Sequence, residues 1–194
     1  MVDISPHRPS RDHVKAFQNL VSWAEKVAAF QYSILIATVY FGIGPRMLGT
    51  DKLNVLGFVL TRDEWPGISV FIFMGSMYHM NRILKSCELL FDGGASQRYD
   101  MAVTLVHSPW IFNPFTCVIR NGKGGFGYAL AIFLFHLLLL IMAKDPAHRI
   151  APGVELWIVC FFIGAPCVIL WAKLGGTIER LRRVATEILS NADS

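Results

Sequence analysis

The longest uncharged stretch of the chain, Gly125–Ala143 (GFGYALAIFLFHLLLLIMA), constrains the fold more than any other feature of the sequence. It runs for nineteen residues without a formal charge. A helix of about 20 residues, rising ~1.5 Å per residue, crosses the ~30 Å hydrocarbon core of a bilayer. The stretch therefore predicts a membrane-spanning helix, and we interpret the other segments as its partners or its flanks.

The composition is typical of a chain whose main solvent is lipid. Of the 194 residues, 54% are hydrophobic and 16% are charged, whereas roughly 25% charged residues are usual in globular domains. The mean hydropathy is +0.46. A chain of this length predicts one domain, so we expect residues 1–194 to form a single integral-membrane domain.

Three further apolar segments have the features of spans. The first becomes apolar on all sides after an amphipathic lead-in. The second follows Glu64, Trp65 and Pro66, which are typical of a helix start at a membrane interface. The last contains Pro166, which should kink it. The sequence thus predicts an all-α bundle of four transmembrane helices, at approximately 24–43, 67–85, 125–143 and 154–172.

The long loop between spans 2 and 3, residues 86–124, is predicted to stay outside the bilayer. Its segment 101–119 is fairly apolar but is interrupted by Pro109 and Pro114. We favour an interfacial position for this segment, with aromatic anchors that include Phe115. A re-entrant hairpin and a complete extra span are alternatives, although two prolines would disrupt helix hydrogen bonding inside lipid.

The tail, residues 173–194, predicts a short amphipathic helix that follows a break. Gly175–Gly176 is a natural break or hinge, and Thr177 is a candidate cap for the helix after it. An apolar stripe at helical spacing predicts the buried face of this helix. The stripe consists of Ile178, Leu181, Val184, Ala185, Ile188 and Leu189.

Basic residues determine the predicted orientation. Most of the 18 lysines and arginines precede span 1, lie between spans 2 and 3, or follow span 4. By the positive-inside rule these regions face the cytoplasm. We therefore expect a multi-pass protein of the plasma (inner) membrane with both termini in the cytoplasm. Because the basic residues are dispersed beside apolar runs, nucleic acid is not an expected partner.

His79 and His136 are the most distinctive candidate site in the sequence. Each lies about eleven or twelve residues into its predicted span, which places both near the middle of the membrane. Ionisable groups at that depth are expensive and usually functional. The pair can provide axial ligands to a b-type haem, or it can relay protons. The alternative that we favour needs no cofactor: each histidine hydrogen-bonds a Ser, Tyr or Asn of a neighbouring helix.

Polar residues at helical spacing form a second predicted cluster on spans 1 and 2. Such residues either hold helices together or line a narrow polar path, and packing is the commoner case. The cluster comprises Gln31, Ser33, Thr38, Ser76, Tyr78 and Asn81. In the tail, Arg180, Arg182 and Arg183 are predicted to contact anionic lipid headgroups.

No motif identifies a chemistry, and the four cysteines lack the spacing of a zinc site. We therefore expect a small, non-enzymatic membrane protein that acts through self-association or partner binding, with lipids and other membrane subunits as partners. An accessory subunit and a pore, exclusion or immunity factor both belong to this class. Two other classes stay open: a redox subunit with haem between His79 and His136, and a membrane enzyme acting on a lipid or quinone. The enzyme would use His107, which is adjacent to Ser108.

Overall fold

The chain forms four α-helices and one β-hairpin within the residues that the computed structural model describes. Those residues are 10–48, 52–55, 58–61, 64–93, 97–108, 114–115, 134, 137, 141, 152–154, 157, 161 and 164–192. In chain order the elements are α1 (Ser10–Leu48), β1 (Lys52–Val55), β2 (Phe58–Thr61), α2 (Trp65–Gly93), α3 (Arg98–His107) and α4 (Ala165–Ala192). This part of the chain is therefore an all-α four-helix bundle with a short hairpin attached.

Each helix packs mainly against two others, in the order α1, α2, α4, α3 around the bundle. Helices α1 and α2 are antiparallel, because Phe17 near the start of α1 packs against Phe91 near the end of α2. At the opposite end of the bundle, Thr38 of α1 accepts a hydrogen bond from Trp65, the first residue of α2. Helix α4 runs parallel to α2, since its contacts with α2 advance along both helices in the same direction. We refer to the two ends as the Trp65 end and the Phe91 end.

The core is built from buried positions that recur at three- and four-residue spacing. A repeat of about 3.5 residues keeps the same face of a helix towards its neighbours along its whole length. Buried positions seven residues apart are Phe17, Ala24, Gln31 and Thr38 on α1, and Cys167, Leu174 and Leu181 on α4. At the Phe91 end, the rings of Phe17 and Phe91 meet edge to face, with centroids 5.0 Å apart and planes at 77°.

The prediction of four transmembrane helices is wrong. Among the helices that the structure describes, none contains a stretch long and apolar enough to cross a bilayer. Many of the apolar side chains that predicted spans 24–43 and 67–85 face other helices instead, and Ala24, Ala28 and Met77 are no more than 1% exposed. An apolar run indicates only that its residues avoid water, and a protein core meets that requirement as well as lipid does.

The predicted localisation is wrong for the same reason. A multi-pass protein of the plasma (inner) membrane needs helices that cross a bilayer, and the described part of the chain has none. The predicted span 125–143 lies outside the described residues except for Leu134, Leu137 and Ile141. The predicted span 154–172 is described only in part, and α4 begins inside it and continues to Ala192.

Helix α4 is continuous through Gly175–Gly176, so the predicted break before the tail is wrong. Thr177 consequently lies within the helix rather than at its N-cap, and its hydroxyl is 3.1 Å from the carbonyl oxygen of Lys173. The predicted apolar stripe is confirmed, because Leu181 and Ala185 are fully buried and the other members pack against the core. Packing of this stripe outweighs the ~1 kcal/mol that each glycine costs a helix.

Part of the predicted interfacial loop belongs to the bundle instead. Helix α2 continues to Gly93, and α3 begins at Arg98 beside it. Met101 and Leu105 of α3 are completely buried, and so is Phe115, which was predicted to be an interfacial anchor. An interfacial position is therefore wrong for the described residues of segment 101–119, because α3 packs against α1 and α4 and its apolar side chains fill the space between them.

The connector before α2 forms a hairpin that the sequence pattern did not predict. Strands β1 and β2 pair antiparallel, with Lys52 opposite Thr61 and Val55 opposite Phe58. The predicted helix start is confirmed, since α2 begins at Trp65. One carboxylate oxygen of Glu64 accepts hydrogen bonds from the backbone N–H and the hydroxyl of Thr61, each at 2.9 Å, which ties the hairpin to the start of α2.

Candidate functional site

Three residues of the predicted polar cluster do connect α1 to α2. The side-chain amide of Gln31 donates to the hydroxyl of Ser76 at 3.2 Å, and that hydroxyl donates to the carbonyl of Phe73 at 2.6 Å. Thr38 accepts a hydrogen bond from the indole N–H of Trp65 at 2.9 Å. All of these side chains are buried, so they hold the two helices together in one register.

The other members of the predicted cluster have different neighbours. Ser33 is exposed, and its hydroxyl donates to the carbonyl of Ala29 on its own helix. Tyr78 is exposed on the outer face of α2. Asn81 is buried against α4, where it accepts a hydrogen bond from Thr177 at 2.9 Å. The predicted polar path is therefore divided between two helix interfaces, and it does not form one continuous line.

An open groove lies between α1 and α2 beside the buried contact of Gln31 with Ser76. Its volume is about 370 Å³. The four residues of α1 that line the groove share one flank of that helix, because they recur at spacings of three and four positions. The lining consists of Trp23, Lys26, Val27 and Phe30 from α1, and Gly75, Ser76 and His79 from α2. Gly75 opens the α2 side, since a Cβ atom added there would meet nothing within 4 Å.

The groove combines an apolar surface with two basic groups. The ammonium group of Lys26 lies 5.0 Å from the centroid of the Trp23 ring, which is a cation–π contact. His79 is exposed on the opposite side. The described residues that line the groove include no carboxylate. Glu25, which follows Trp23 by two positions, faces away from the groove and accepts a hydrogen bond from Ser108 at the end of α3.

His79 was predicted to be one half of a histidine pair, and its partner, His136, lies outside the described residues. The haem and proton-relay hypotheses need both imidazoles, so they stay predictions. His79 itself is at the edge of an open groove and is not enclosed between helices. Within the described part of the chain, no group of three or more His, Cys, Asp or Glu side chains is placed to hold a metal ion.

The three predicted headgroup arginines form ion pairs with carboxylates of the bundle. Arg180 of α4 reaches Glu88 of α2, with its Nε atom 2.6 Å from the carboxylate. This hydrogen bond, and then the negative charge of Glu88, raises the pKa of Arg180. Arg182 and Arg183 both pair with Glu179, one turn earlier on the same helix. Their contact with a lipid headgroup stays a prediction.

His107 and Ser108, the residues of the predicted enzyme alternative, have separate partners. One imidazole nitrogen of His107 lies 3.1 Å from the carbonyl oxygen of Val103 on its own helix. The hydroxyl of Ser108 donates to Glu25 of α1. A nucleophilic serine needs a hydrogen bond to its base, and this pair of neighbours does not provide it.

Exposed apolar side chains are concentrated towards the Trp65 end of the bundle, and charged side chains towards the Phe91 end. The exposed apolar residues of these helices towards the Trp65 end are Phe30, Ile36, Val39 and Tyr40 on α1, Ile68, Phe71, Ile72 and Tyr78 on α2, and Val168, Ile169 and Trp171 on α4. Exposed charged residues nearer the Phe91 end include Lys15, Arg82, Lys85, Arg183 and Glu187. Leu89, Tyr99 and Trp23 are exceptions, because they are exposed in the half of the bundle nearer the Phe91 end.

Sequence reasoning did not predict that Trp23, Lys26 and Phe30 share one site with His79. Their spacing of three and four residues was a usable signal, because it places them on one flank of α1. Only the packing of α1 on α2 brings that flank beside Gly75 and His79. Comparison with protein-family models, with curated proteins and with solved structures finds no match to this chain.

Proposed function

We propose that this protein is a non-catalytic helical protein that acts by associating with a second copy of itself. The observation that supports the proposal is the apolar face, which we define as Ile68, Phe71 and Tyr78 of α2 together with Ile169 of α4. Phe71 is 77% exposed, Ile169 56% and Tyr78 55%. Contiguous exposed apolar surface is uncommon on monomers and usually marks an interaction site.

The four side chains belong to one surface because α2 and α4 are neighbours and run parallel. Asn81 of α2 contacts Thr177 of α4. Ile169 is eight residues before Thr177 and Phe73 is eight residues before Asn81, so in parallel helices these two lie at the same level, about two turns nearer the Trp65 end. Phe71 and Tyr78 are seven residues apart and therefore share one side of α2.

A second copy fits this face better than an unrelated partner does. In a two-fold dimer the same patch meets itself, and with antiparallel α2 helices Phe71 of one copy packs on Tyr78 of the other. Arg82 and Lys85 follow Tyr78 on the exposed side of α2. An antiparallel arrangement puts the basic segments of the two copies at opposite ends of the interface, whereas a parallel arrangement would bring like charges together.

The size of the face predicts a weak, reversible dimer. Side chains of this kind expose on the order of 100 Å² each, so four per copy bury roughly 800 Å² in total, below the ~1,200 Å² of a standard interface. Interfaces of that size are usually transient. We therefore expect dimerisation to depend on protein concentration in the micromolar range or above.

Sedimentation equilibrium over a range of protein concentrations tests the proposal. The wild-type mass should rise from 21.7 kDa towards twice that value as concentration increases. Phe71→Asp places a charge in the centre of the face and should remain at the monomer mass throughout. Leu89→Asp is the matched control, because Leu89 is on the same helix and is 71% exposed but lies at the charged end.

Two results would contradict the proposal. The first is a wild-type protein that stays monomeric up to about 1 mM, a concentration at which even contacts of a few kcal/mol are populated. The second is a Leu89→Asp variant that dissociates as fully as Phe71→Asp, since a general effect of added charge would then explain both.

A further inference from the structure

We propose that the groove between α1 and α2 binds an amphipathic anion, an organic molecule with an apolar chain and a carboxylate head. The apolar chain would lie against Trp23, Val27 and Phe30, and the carboxylate would meet Lys26 and His79. The groove has a different lining from the apolar face, because Phe71 and Tyr78 are not among the residues that line it. The two surfaces adjoin on α2, since Phe71 and Tyr78 are four and three positions from Gly75.

The shape and lining of the groove suit an apolar chain. Its volume of about 370 Å³ is within the ~300–1,000 Å³ that is usual for small-molecule sites. Trp23 is 55% exposed and Phe30 49% exposed, so a ligand that covers them removes apolar surface from water. Gly75 leaves the α2 wall without a side chain, and the space above it is open.

The charges select the head of the ligand. Lys26 carries three donors and a full positive charge, and an imidazole N–H of His79 donates in either protonation state of the ring. The acidic group nearest in sequence, Glu25, is directed to Ser108 and α3. Lys85 and Arg82 of α2 add positive charge further along the same helix. An anion is therefore favoured over a neutral or cationic head.

Isothermal titration calorimetry with dodecanoate, below its micelle concentration, tests the assignment. The wild-type protein should bind dodecanoate saturably with one site per chain. Acetate carries the head without the chain, and dodecyltrimethylammonium carries the chain with the opposite charge; both should bind at least about tenfold more weakly. Equal binding of dodecyltrimethylammonium would overturn the proposal, because apolar contact and the Trp23 ring would then explain the whole affinity.

Two pairs of variants locate the site. Gly75→Leu fills the groove and should abolish binding, whereas Gly67→Leu, another exposed glycine of α2 with nothing within 4 Å, should bind normally. Lys26→Met keeps the length of the side chain and should weaken binding about twofold to fivefold, as expected for one exposed charge. Lys85→Met is its control and should change binding less than twofold.

The same titrations separate this site from the proposed dimer face. Ile169→Asp, which changes the apolar face on α4, should bind dodecanoate as the wild type does, because α4 contributes no residue to the groove lining. Normal binding by Gly75→Leu, with unchanged circular dichroism, would overturn the proposal. Loss of binding in Ile169→Asp together with unchanged affinity in Lys26→Met would also overturn it, since the ligand would then occupy the apolar face.

Discussion

The hydrogen bond between Thr177 and Asn81 provides a sharp test of how α4 is held against α2. Thr177 is completely buried, and its hydroxyl donates to the side-chain oxygen of Asn81 at 2.9 Å. The carbonyl of Lys173 is a second acceptor for the same hydroxyl, at 3.1 Å. Thr177→Val keeps the shape of the side chain but leaves the buried oxygen of Asn81 without this donor. We expect the free energy of unfolding to fall by about 1–3 kcal/mol.

Removing the acceptor, Asn81, should lower the free energy of unfolding less than removing the donor, Thr177. The effects of the two substitutions should not be additive. In Asn81→Leu the hydroxyl of Thr177 can still donate to Lys173, so we expect a loss of about 1 kcal/mol. The double variant removes both partners and should be more stable than the sum of the two losses predicts, by about 1 kcal/mol. Urea unfolding followed by far-ultraviolet circular dichroism measures all four proteins of this cycle.

Thr186→Val is the matched control for this cycle. Thr186 is also on α4, and its hydroxyl donates to the carbonyl of Arg182, but the residue is exposed. An exposed hydroxyl exchanges its partner for water, so this variant should stay within about 0.5 kcal/mol of the wild type. Losses of equal size for Thr177→Val and Thr186→Val, or strictly additive losses for Thr177 and Asn81, would refute the reasoning.

Three further predictions concern individual residues. Gly175→Ala should raise the free energy of unfolding by about 0.5–1 kcal/mol, because α4 is helical there and an added Cβ meets nothing within 4 Å; a clear loss of stability would contradict a continuous helix. Phe91→Ala should lower the free energy of unfolding by about 3–5 kcal/mol in the same urea assay, since Phe91 is 1% exposed and packs edge to face against Phe17; a loss below about 1 kcal/mol would contradict its place in the core. Burial raises the pKa of Cys87 from 9.0 to about 12, so the folded state holds this proton more tightly than the unfolded state, and the contribution is complete below pH 9.0 and is lost as pH rises towards 12. Alkaline unfolding of the wild type should therefore show a slope of up to ~1.4 kcal/mol per pH unit in that range that Cys87→Ala lacks; equal slopes would contradict the assignment.

Local sequence pattern was sufficient for features that depend on neighbours along one helix. The start of α2 at Trp65 follows from the acidic residues, the tryptophan and the proline around it, and the structure has the helix begin there. The apolar stripe of the tail follows from helical spacing, and Leu181 and Ala185 are buried as predicted. The contact of Gln31 with Ser76 also agrees with the prediction that polar residues of these segments join helices.

Features that depend on two elements could not be predicted in the same way. Nothing in the local pattern indicates that Asn81 faces α4 while Ser76 faces α1, because both residues lie on the apolar half of one helix. The same holds for the groove, whose Lys26 and His79 are 53 positions apart in the sequence and meet only through the packing of α1 on α2. The hairpin of β1 and β2 was missed because its strands have four residues each, too few for a clear alternating pattern.

Composition and periodicity were enough to establish that this chain is helical and that long parts of its helices exclude water. They could not decide what excludes the water. A buried seam such as Ala24, Ala28 and Met77 has the same apolar pattern whether lipid or another helix covers it, since the hydrophobic effect has no direction and does not identify its partner. The packing of α1, α2, α3 and α4 supplies that answer for the described helices, and it also determines which apolar side chains, Phe71 above all, stay exposed for a second molecule to cover.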